Sequence, residues 1–250
     1  MNYQPMDHHA QSSLAGGEPL WEAQEDADVA RAAVGATARE LIETALFILV
    51  IFFIFRGVLQ NYRVQGQSME PNLHTDQYLI VNKIVFFHFD ANAPLRLLPG
   101  LRSLPADMLY PLRQPERGDV VIVEEPPVDG GPQPEEILIK RVIGLPGETV
   151  QVKDGVVYIN GQELKERQAD GGYLVEETHC NGGRLCEPYL VPAGHIVVLG
   201  DHRSNSLDSR SWNAEPGVAL DHVIGKAWLS YWPRPAWGVI ATPNYAGMSK

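Results

Sequence analysis

One run of apolar residues stands apart from the rest of the chain. Residues 45–55 are all apolar, and the run extends over 41–59, which is 19 residues. This length is close to the ~20 residues with which an α-helix crosses the hydrocarbon core of a bilayer. A buried core helix is disfavoured because no amphipathic stripe is visible. A cleaved signal peptide is disfavoured because some 40 residues precede the run without a basic segment. The pattern predicts a single transmembrane helix at 39–60.

The residues before this run predict a tail without regular structure. Residues 1–38 are polar, rich in Ala, Gly, Gln and acidic side chains, and show little hydrophobic periodicity. Arginines flank the run on both sides, with Arg31 and Arg39 before it and Arg56 and Arg63 after it. The positive-inside rule therefore assigns no orientation.

Beyond the run, the pattern changes to that of β-strands. Short stretches rich in β-branched and aromatic residues are bounded by Gly, Pro, Asp or Asn, at 78–81, 120–123, 137–143, 149–152, 156–159, 196–199 and 227–231. The dipeptides Asp154-Gly155 and Asn160-Gly161 are strong signals for tight hairpin turns. The predicted fold class is mainly β, with an antiparallel β-sheet domain over 61–250 preceded by one transmembrane helix.

Residues 85–115 interrupt this strand pattern. They are apolar, punctuated by proline and unlike a strand. An inserted segment of this length is often functional or membrane-associated. An ordinary packed excursion that covers one sheet edge explains the composition equally well, so both interpretations stay open.

Net charge and cysteine content exclude some classes of function for this chain. The formal net charge is −11, and an acidic protein gains little from a phosphate backbone, so no nucleic-acid partner is expected. Cys180 and Cys186 are close enough in sequence for a disulfide to close a small loop. If this segment lies outside the cytoplasm, a disulfide is favoured over two free thiols. Their spacing fits no redox CxxC motif, and without a second cysteine pair it fits no structural zinc site.

Two segments each contain one side chain that could take part in catalysis, a serine in a turn-like sequence and a lysine in an apolar one. Ser68 follows Gly66 shortly after the apolar run, although a serine beside a glycine is usually just a turn residue. Lys140 lies within an apolar strand pattern, where lysine is rare. Strand alternation puts Lys140 and Arg141 on opposite faces, so that one faces the interior and the other solvent. Two solvated cations at a strand edge would give the same pattern.

A third segment, 199–212, is dense in Asp, Arg and Ser. Asp201 with Arg203 and Asp208 with Arg210 are natural ion pairs within it. A hydrophilic loop is the ordinary interpretation of such a composition.

Together these segments resemble the bacterial signal peptidase I family, whose members use a serine–lysine dyad. The resemblance covers some four-fifths of the chain, and four boxes in the same order make it highly specific. Residues 66–73 resemble the family's serine box, 117–123 its next box, 140–148 its lysine box and 200–210 its Gly-Asp-Asn-Arg-x-Asn-Ser-x-Asp-Ser-Arg box, and 224–227 and 231–233 are similar to its closing strand.

The resemblance implies the catalytic roles. Ser68 matches the nucleophile, and Lys140 matches the general base that deprotonates it. Ser206 matches a serine that hydrogen-bonds and orients the lysine, and Asp208 and Arg210 match a supporting ion pair. A lysine serves as a base only when neutral, and burial among apolar neighbours lowers its pKa toward the useful range.

Other positions match the substrate side of the family's site or depart from its pattern. Met69 and Pro71 match residues beside the substrate-binding groove. Gly66 stands where some members carry a serine that helps to bind the oxyanion, which leaves the backbone N–H of Ser68 as the candidate donor. Asn72 replaces the usual threonine and His202 the usual asparagine, and neither change removes a reacting atom.

The resemblance also implies partners and location. The expected substrates are the signal peptides of exported preproteins, which end in small residues before the cut. No metal or organic cofactor is expected. The enzyme would be a single-pass protein of the bacterial plasma membrane, in contact with the lipid bilayer and close to the protein-export channel. Its tail would be cytoplasmic and its catalytic domain extracytoplasmic.

Several other functions can be compared with that of a serine–lysine peptidase. A Ser-His-Asp triad with His202 depends on geometry that a sequence does not show, and a zinc hydrolase lacks the HExxH spacing. A self-cleaving repressor would carry a DNA-binding domain where this chain has its apolar run. A specialised signal peptidase that processes one secreted pilin or conjugation protein would be distinguished by its substrate range. A non-enzymatic scaffold that binds peptides by strand addition is disfavoured because Ser68 and Lys140 are both present.

Overall fold

The computed structural model describes residues 20–98, 100–105, 107–125, 137–167, 173–212, 215–243 and 245. The chain separates into two compact units, Met1–Ile54 and Phe55–Lys250. The first unit contains most of the single long helix, and the second contains all of the described β-strands.

Helix α1 spans Leu20–Val58 and includes a candidate membrane span at Arg39–Val58 with a mean hydropathy of 2.3. The helix ends two residues before the predicted end at residue 60, because Leu59 begins a strand. It also begins well before residue 39, so the prediction of an irregular tail does not hold for residues 20–38. Seven alanines, the strongest helix formers, lie in that stretch and explain the difference. Residues 1–19 lie outside the described residues.

Fourteen strands follow in the described part of the chain, and all of their pairings are antiparallel. They are β1 Leu59–Arg63, β2 Tyr78–Asn82, β3 Phe89–Asp90, β4 Met108–Leu109, β5 Val120–Glu124, β6 Ile137–Gly144, β7 Thr149–Lys153, β8 Val156–Ile159, β9 Gln162–Glu163, β10 Tyr189–Leu190, β11 His195–Leu199, β12 Val218–Ala219, β13 Val223–Trp232 and β14 Gly238–Val239.

The strands form one large sheet and two small ones. The eight-stranded sheet has the order β1-β2-β13-β5-β6-β11-β12, with β14 paired to β13. A four-stranded sheet has the order β10-β7-β8-β9, and β3 pairs with β4. This arrangement confirms the predicted fold class, because the second unit is mainly antiparallel β and an apolar helix precedes it.

The seven strand segments predicted from the sequence coincide with β2, β5, β6, β7, β8, β11 and β13. The predicted hairpin turns also form. Asp154 and Gly155 have φ of 53° and 79°, and Asn160 and Gly161 have φ of 51° and 79°, as a tight primed turn requires. Strand β1 escaped prediction because its sequence, LQNYR, is mostly polar, which an exposed edge strand tolerates.

The core lies on both faces of the large sheet. One cluster joins β6 and β11 to the four-stranded sheet through Ile143, Val197 and Leu199. A second cluster covers the opposite face and includes Val142 and Val198. Because neighbouring residues of β6 and β11 are buried on both sides, β11 has a continuous apolar run, and β6 is apolar on both sides of Lys140 and Arg141 rather than alternating.

Cys180 and Cys186 form a disulfide, which confirms the interpretation that the sequence favoured. The loop between them contains the short helical turn Arg184–Cys186, whose Leu185 is buried. The bridge therefore closes a loop that is attached to the core of the four-stranded sheet.

Two leucines test this assignment of the core. Leu164 is 2% exposed and packs in the cluster around β7 and β8, whereas Leu190 in β10 is 64% exposed. Leu164→Ala is expected to lower the free energy of unfolding by about 2–5 kcal/mol because it leaves a cavity. The matched variant Leu190→Ala should change it by less than about 0.5 kcal/mol. Urea unfolding of the detergent-solubilised chain measures both, and equal effects would contradict this core.

Candidate active site

Ser68 lies on the loop between β1 and β2, residues 64–77. The two ends of the loop are joined by hydrogen bonds from Val64 N to Gln77 O (2.8 Å) and from Asp76 N to Val64 O (2.9 Å). Met69 and Leu73 anchor the loop in an apolar cluster beneath it. The Ser68 hydroxyl is thus held by a closed and packed loop. Within the described residues, its backbone N–H makes no hydrogen bond.

Lys140 is presented by β6, where it pairs with Val121 of β5. The side chain is 2% exposed. Its Nζ donates a 2.8 Å hydrogen bond to Ser68 Oγ. The sheet therefore brings together the two residues that the sequence singled out, although 72 positions separate them.

The environment of Lys140 lowers the pKa of its amino group to about 8. Burial is the main cause, because it disfavours the charged form. The charge of Asp208 acts in the opposite direction, and that of Arg210 acts in the same direction as burial. With this pKa, roughly one Lys140 side chain in ten is neutral at pH 7, compared with about one in a thousand for an ordinary lysine.

Asp208 and Arg210 form the ion pair expected from the sequence. Arg210 donates two hydrogen bonds of 2.9 Å to the two carboxylate oxygens of Asp208. The carboxylate also accepts a 2.9 Å bond from the backbone N–H of Gly200. Burial by itself would raise the pKa of Asp208, but these hydrogen bonds and the charge of Arg210 hold it below its usual value.

Ser206 lies beside this pair without contacting Lys140 by a hydrogen bond. Its buried Oγ has no hydrogen bond of ordinary geometry to any described residue. It is nevertheless close enough to the Asp208 carboxylate to help lower the pKa of that group. The orienting role of Ser206 toward Lys140 therefore stays a prediction.

The remaining charges pair differently from the expectation. Asp201 accepts bonds of 2.8 and 2.6 Å from Arg141, and Arg203 donates to Glu166 at 2.6 and 3.0 Å. The expected Asp201–Arg203 pair is therefore wrong, and so is the expectation that one of Lys140 and Arg141 faces solvent, because Arg141 is also 2% exposed. The true partners lie 60 and 37 positions apart, beyond what local sequence shows.

Two of the three departures from the family pattern, Asn72 and His202, connect the loop of Ser68 to the loop at 200–210. The Asn72 amide donates to Asp201 at 2.9 Å, and the backbone N–H of His202 donates to the carbonyl of Ser68 at 3.0 Å. The His202 ring lies 3.2 Å from the carbonyl of Gln67. No described histidine hydrogen-bonds Ser68 Oγ, so the geometry gives no support to a Ser-His-Asp triad.

Gly200 has a role that sequence reasoning missed. A Cβ at this position would lie 2.5 Å from the carbonyl oxygen of Ser68 and would also overlap the Ser206 hydroxyl. Only glycine therefore allows the 200–210 loop to approach Ser68 so closely. Its place at the head of the motif was visible in the sequence, but the steric reason was not.

A cleft of about 460 Å³ opens at Ser68 and Lys140. Its other lining residues come from 62–65, Met69 and 137–139. Met69 lines this cleft although it is 1% exposed, and its role beside a substrate groove stays a prediction. Pro71 is exposed and does not line the cleft. Gly66, with φ of 82°, shapes the loop just before Ser68.

A larger cleft of about 690 Å³ is lined by residues of 72–77 and 232–243 and contains neither Ser68 nor Lys140. The smaller cleft is the candidate active site because it holds the reactive pair. Among the described residues, no group of three or more His, Cys, Asp or Glu side chains could hold a metal ion.

A serine hydroxyl that contacts a buried amine of lowered pKa is suited to acyl transfer, the chemistry of a hydrolase. Comparison with known proteins specifies the class. The family model "Signal peptidase, peptidase S26" matches residues 38–232. The chain therefore belongs to the signal peptidase family S26 and is a peptidase.

Individual relatives agree with this family. Signal peptidase I of Leptolyngbya laminosa is 35% identical over 200 residues, which are 79% of this chain and 81% of that protein. Signal peptidase I T of Bacillus subtilis is 32% identical over 196 residues, with 77% and 82% covered. The crystal structure of a signal peptidase I from Enterococcus faecalis V583 covers 46% of this chain and 97% of its own, with 32% identity and a TM-score of 0.35.

A methyl group at position 200 tests the close packing of the two loops. Gly200→Ala is expected to displace the Ser68 backbone and to reduce kcat by about 10²-fold, because small misplacements of reacting groups are costly. Gly57→Ala is the matched control, since a Cβ at Gly57 meets nothing within 4 Å. Preprotein cleavage in detergent measures both rates. Full activity of Gly200→Ala would contradict the described contact.

Proposed function

We propose that this chain is a membrane-bound serine endopeptidase that removes N-terminal signal peptides from exported preproteins with a Ser68–Lys140 dyad. Membership of family S26 supports signal-peptide removal. The observation that carries the dyad is the 2.8 Å hydrogen bond between Lys140 Nζ and Ser68 Oγ, made by a lysine whose pKa is about 8.

In the proposed acylation step, neutral Lys140 accepts the proton of Ser68 as Oγ attacks the scissile carbonyl. The new bond joins Ser68 Oγ to the carbonyl carbon, and the resulting ammonium returns the proton to the leaving amine. The oxyanion needs donors, and the backbone N–H of Ser68 is the candidate, because Gly66 offers no side-chain hydroxyl. Water then attacks the acyl-enzyme with Lys140 as base and releases the signal peptide.

The surrounding residues support this chemistry by position. Asp208 and Arg210 hold the backbone of Gly200, which in turn packs on the carbonyl of Ser68. Ser206 is proposed to orient Lys140 through its hydroxyl, which is buried beside the Asp208 carboxylate. These groups act through the dyad rather than on the substrate.

The substrate is proposed to lie extended in the cleft between residues 62–65 and β6. Shallow subsites that admit only small side chains would explain a preference for signal peptides that end in small residues. Met69 lies at the floor of this cleft. Pro71 would act indirectly, through the shape of the serine loop.

The membrane-bound state is proposed from the span Arg39–Val58, whose length and apolar character suit a bilayer. The preceding residues would be cytoplasmic and the peptidase domain, residues 61–250, extracytoplasmic. The disulfide between Cys180 and Cys186 supports this side, because disulfides persist in oxidising compartments. Partners would be lipid and preproteins near the export channel, and no nucleic acid.

Substitution of each dyad member tests the mechanism. Ser68→Ala and Lys140→Met are each expected to reduce preprotein cleavage by at least about 10³-fold, because nucleophile and base act as a unit. The matched controls, Ser103→Ala and Lys153→Met, alter exposed residues and should retain wild-type rates. Mass spectrometry of the products locates the cut. Cleavage by Lys140→Met would show that another base operates.

The pH dependence of the reaction gives an independent test. The active form of Lys140 is neutral and its pKa is about 8, so kcat/KM should rise about tenfold per pH unit below 8 and level off above it. A rise in rate that is complete well below pH 8 would instead show that a group other than Lys140 is the base. Steady-state cleavage of a signal-peptide substrate from pH 6 to 10 distinguishes these outcomes.

A further inference from the structure

The residues that follow the last described strand pack back onto the region behind the active site. Residues 240–243 and Tyr245 come directly after β14, and we call them the bracing segment. The backbone N–H of Ile240 donates a 2.9 Å hydrogen bond to the carbonyl of Trp228, which fixes the start of the segment on β13. The family match ends at residue 232, so membership of the family does not by itself assign these residues a role.

The first contact of the bracing segment is with the loop of Ser68. The Ile240 side chain is partly buried and packs against the apolar cluster in which Met69 and Leu73 anchor that loop. Residues 72–77 of the loop and residues 238–241 also line the same cleft of about 690 Å³. The segment therefore supports the loop on the side away from the smaller cleft that holds the reactive pair.

The second contact is with Arg141, the neighbour of Lys140 in β6. Nη1 of Arg141 donates hydrogen bonds to the carbonyls of Gly118 (2.8 Å) and Ala241 (3.4 Å). A Cβ at Gly118 would lie 3.0–3.3 Å from atoms of Pro243 and Tyr245. The bracing segment thus packs directly on the backbone to which Arg141 is bonded.

Tyr245 makes the third contact, through a second tyrosine. Its side chain is buried, and its ring meets the ring of Tyr173 edge-on with centroids 6.4 Å apart. The Tyr245 hydroxyl donates a 3.3 Å hydrogen bond to that of Tyr173, which donates in turn to Glu166 at 2.6 Å. The guanidinium of Arg141 lies 4.2 Å from the centre of the Tyr173 ring. Tyr245 therefore holds in place the ring against which Arg141 lies.

The remaining bonds of Arg141 continue to the loop of Ser68. Arg141 donates to both carboxylate oxygens of Asp201, at 2.8 and 2.6 Å, and Asp201 accepts a 2.9 Å bond from Asn72 of the loop. A buried ion pair depends on its geometry and on the exclusion of water. Loss of the cover over Arg141 would therefore loosen the Asn72 contact, and a displacement of a reacting group by about 1 Å can cost 10²-fold in rate.

We propose that Tyr245 is a positioning residue of the peptidase, which holds Tyr173 and Arg141, and through them the loop of Ser68, in the catalytic geometry. The inference rests on the proposed function in requiring that Ser68 is the nucleophile. The bracing segment lies outside the described lining of the cleft at Ser68 and Lys140. Its loss should therefore reduce the rate of the chemical step more than the binding of substrate.

Substitution of Tyr245 tests this role in the full-length chain. Tyr245→Ala is expected to lower kcat for preprotein cleavage in detergent by about 10- to 100-fold and to change KM by less than about twofold. Tyr245→Phe keeps the edge-on ring contact and should retain at least about a third of the wild-type kcat. If Tyr245→Ala does not fold, Tyr245→Leu fills the space without the aromatic contact and carries the same expectation. A wild-type kcat in the folded Ala or Leu variant would overturn the proposal.

Tyr189 provides a matched control for general loss of stability. It is 7% exposed, compared with 8% for Tyr245, and belongs to the same core cluster, but its hydroxyl bonds to Glu215. Tyr189→Ala should lower the temperature of thermal unfolding about as much as Tyr245→Ala does. Below that temperature, its kcat should stay within about twofold of wild type. Equal losses of kcat in the two variants would show a merely structural effect and overturn the proposal.

Amide hydrogen exchange reports the position of the loop without relying on activity. Exchange in residues 64–77 should be faster in Tyr245→Ala than in wild type, Tyr245→Phe or Tyr189→Ala. A reduced kcat with unchanged exchange in 64–77 would overturn the proposed route through the loop. Full cleavage by Ser68→Ala would instead overturn the proposed dyad, whereas a wild-type kcat in Tyr245→Ala would overturn the positioning role alone.

Discussion

Burial of the Lys140 amino group sets the condition that the rest of the site must meet. An ammonium group in apolar surroundings is costly, so the fold raises the fraction of neutral amine, and the amine is the form that can accept a proton. A neighbouring carboxylate would normally reverse this effect. Here Asp208 is neutralised by bidentate contact with Arg210, and the two charges act on the pKa of Lys140 in opposite directions. The pair can therefore fix the nearby backbone without restoring the ordinary pKa of the lysine.

The buried ion pairs of this domain hold loops and strands in position more than they add to stability. Paired buried charges contribute little net stability, because desolvation offsets their attraction, but they are sensitive to geometry. Arg141 bonds Asp201, which also accepts from Asn72 of the serine loop. Since Arg141 follows Lys140 in β6, this chain of contacts links the loop of Ser68 to the strand of Lys140. His202 adds a second link through the carbonyl of Ser68.

The connection between β1 and β2 relates the catalytic site to the apolar helix. Strand β1 begins directly after α1 and carries the chain into the loop of Ser68, while β2 returns it to Lys83, whose backbone N–H donates to the carbonyl of Val58. One antiparallel pair thus has Ser68 at one end and the last residue of α1 at the other. The loop at the Ser68 end is packed in the core through Met69 and Leu73.

The sequence by itself determined the apolar span and the main strands, and it singled out Ser68 and Lys140 as the candidate dyad. These follow from local patterns: a continuous apolar run, β-branched stretches between turn residues, and short motifs that keep their order. The hairpin at Asp154-Gly155 is of the same kind, because the backbone needs positive φ at two adjacent positions. The start of α1 was missed because alanine-rich polar sequence supports a helix without any hydrophobic periodicity.

Only the tertiary structure decided which charges pair and why Gly200 must be glycine. Arg203 finds Glu166 and Arg141 finds Asp201 because the sheets bring distant segments together, and nearest neighbours in sequence are poor guides to such partners. The pKa of Lys140 is likewise a property of the assembled core, since burial is its main cause. The sequence pattern identified Ser68 and Lys140 as candidates. The packing of the fold determined the distance between their reactive atoms, the pKa of Lys140 and the residues that surround them.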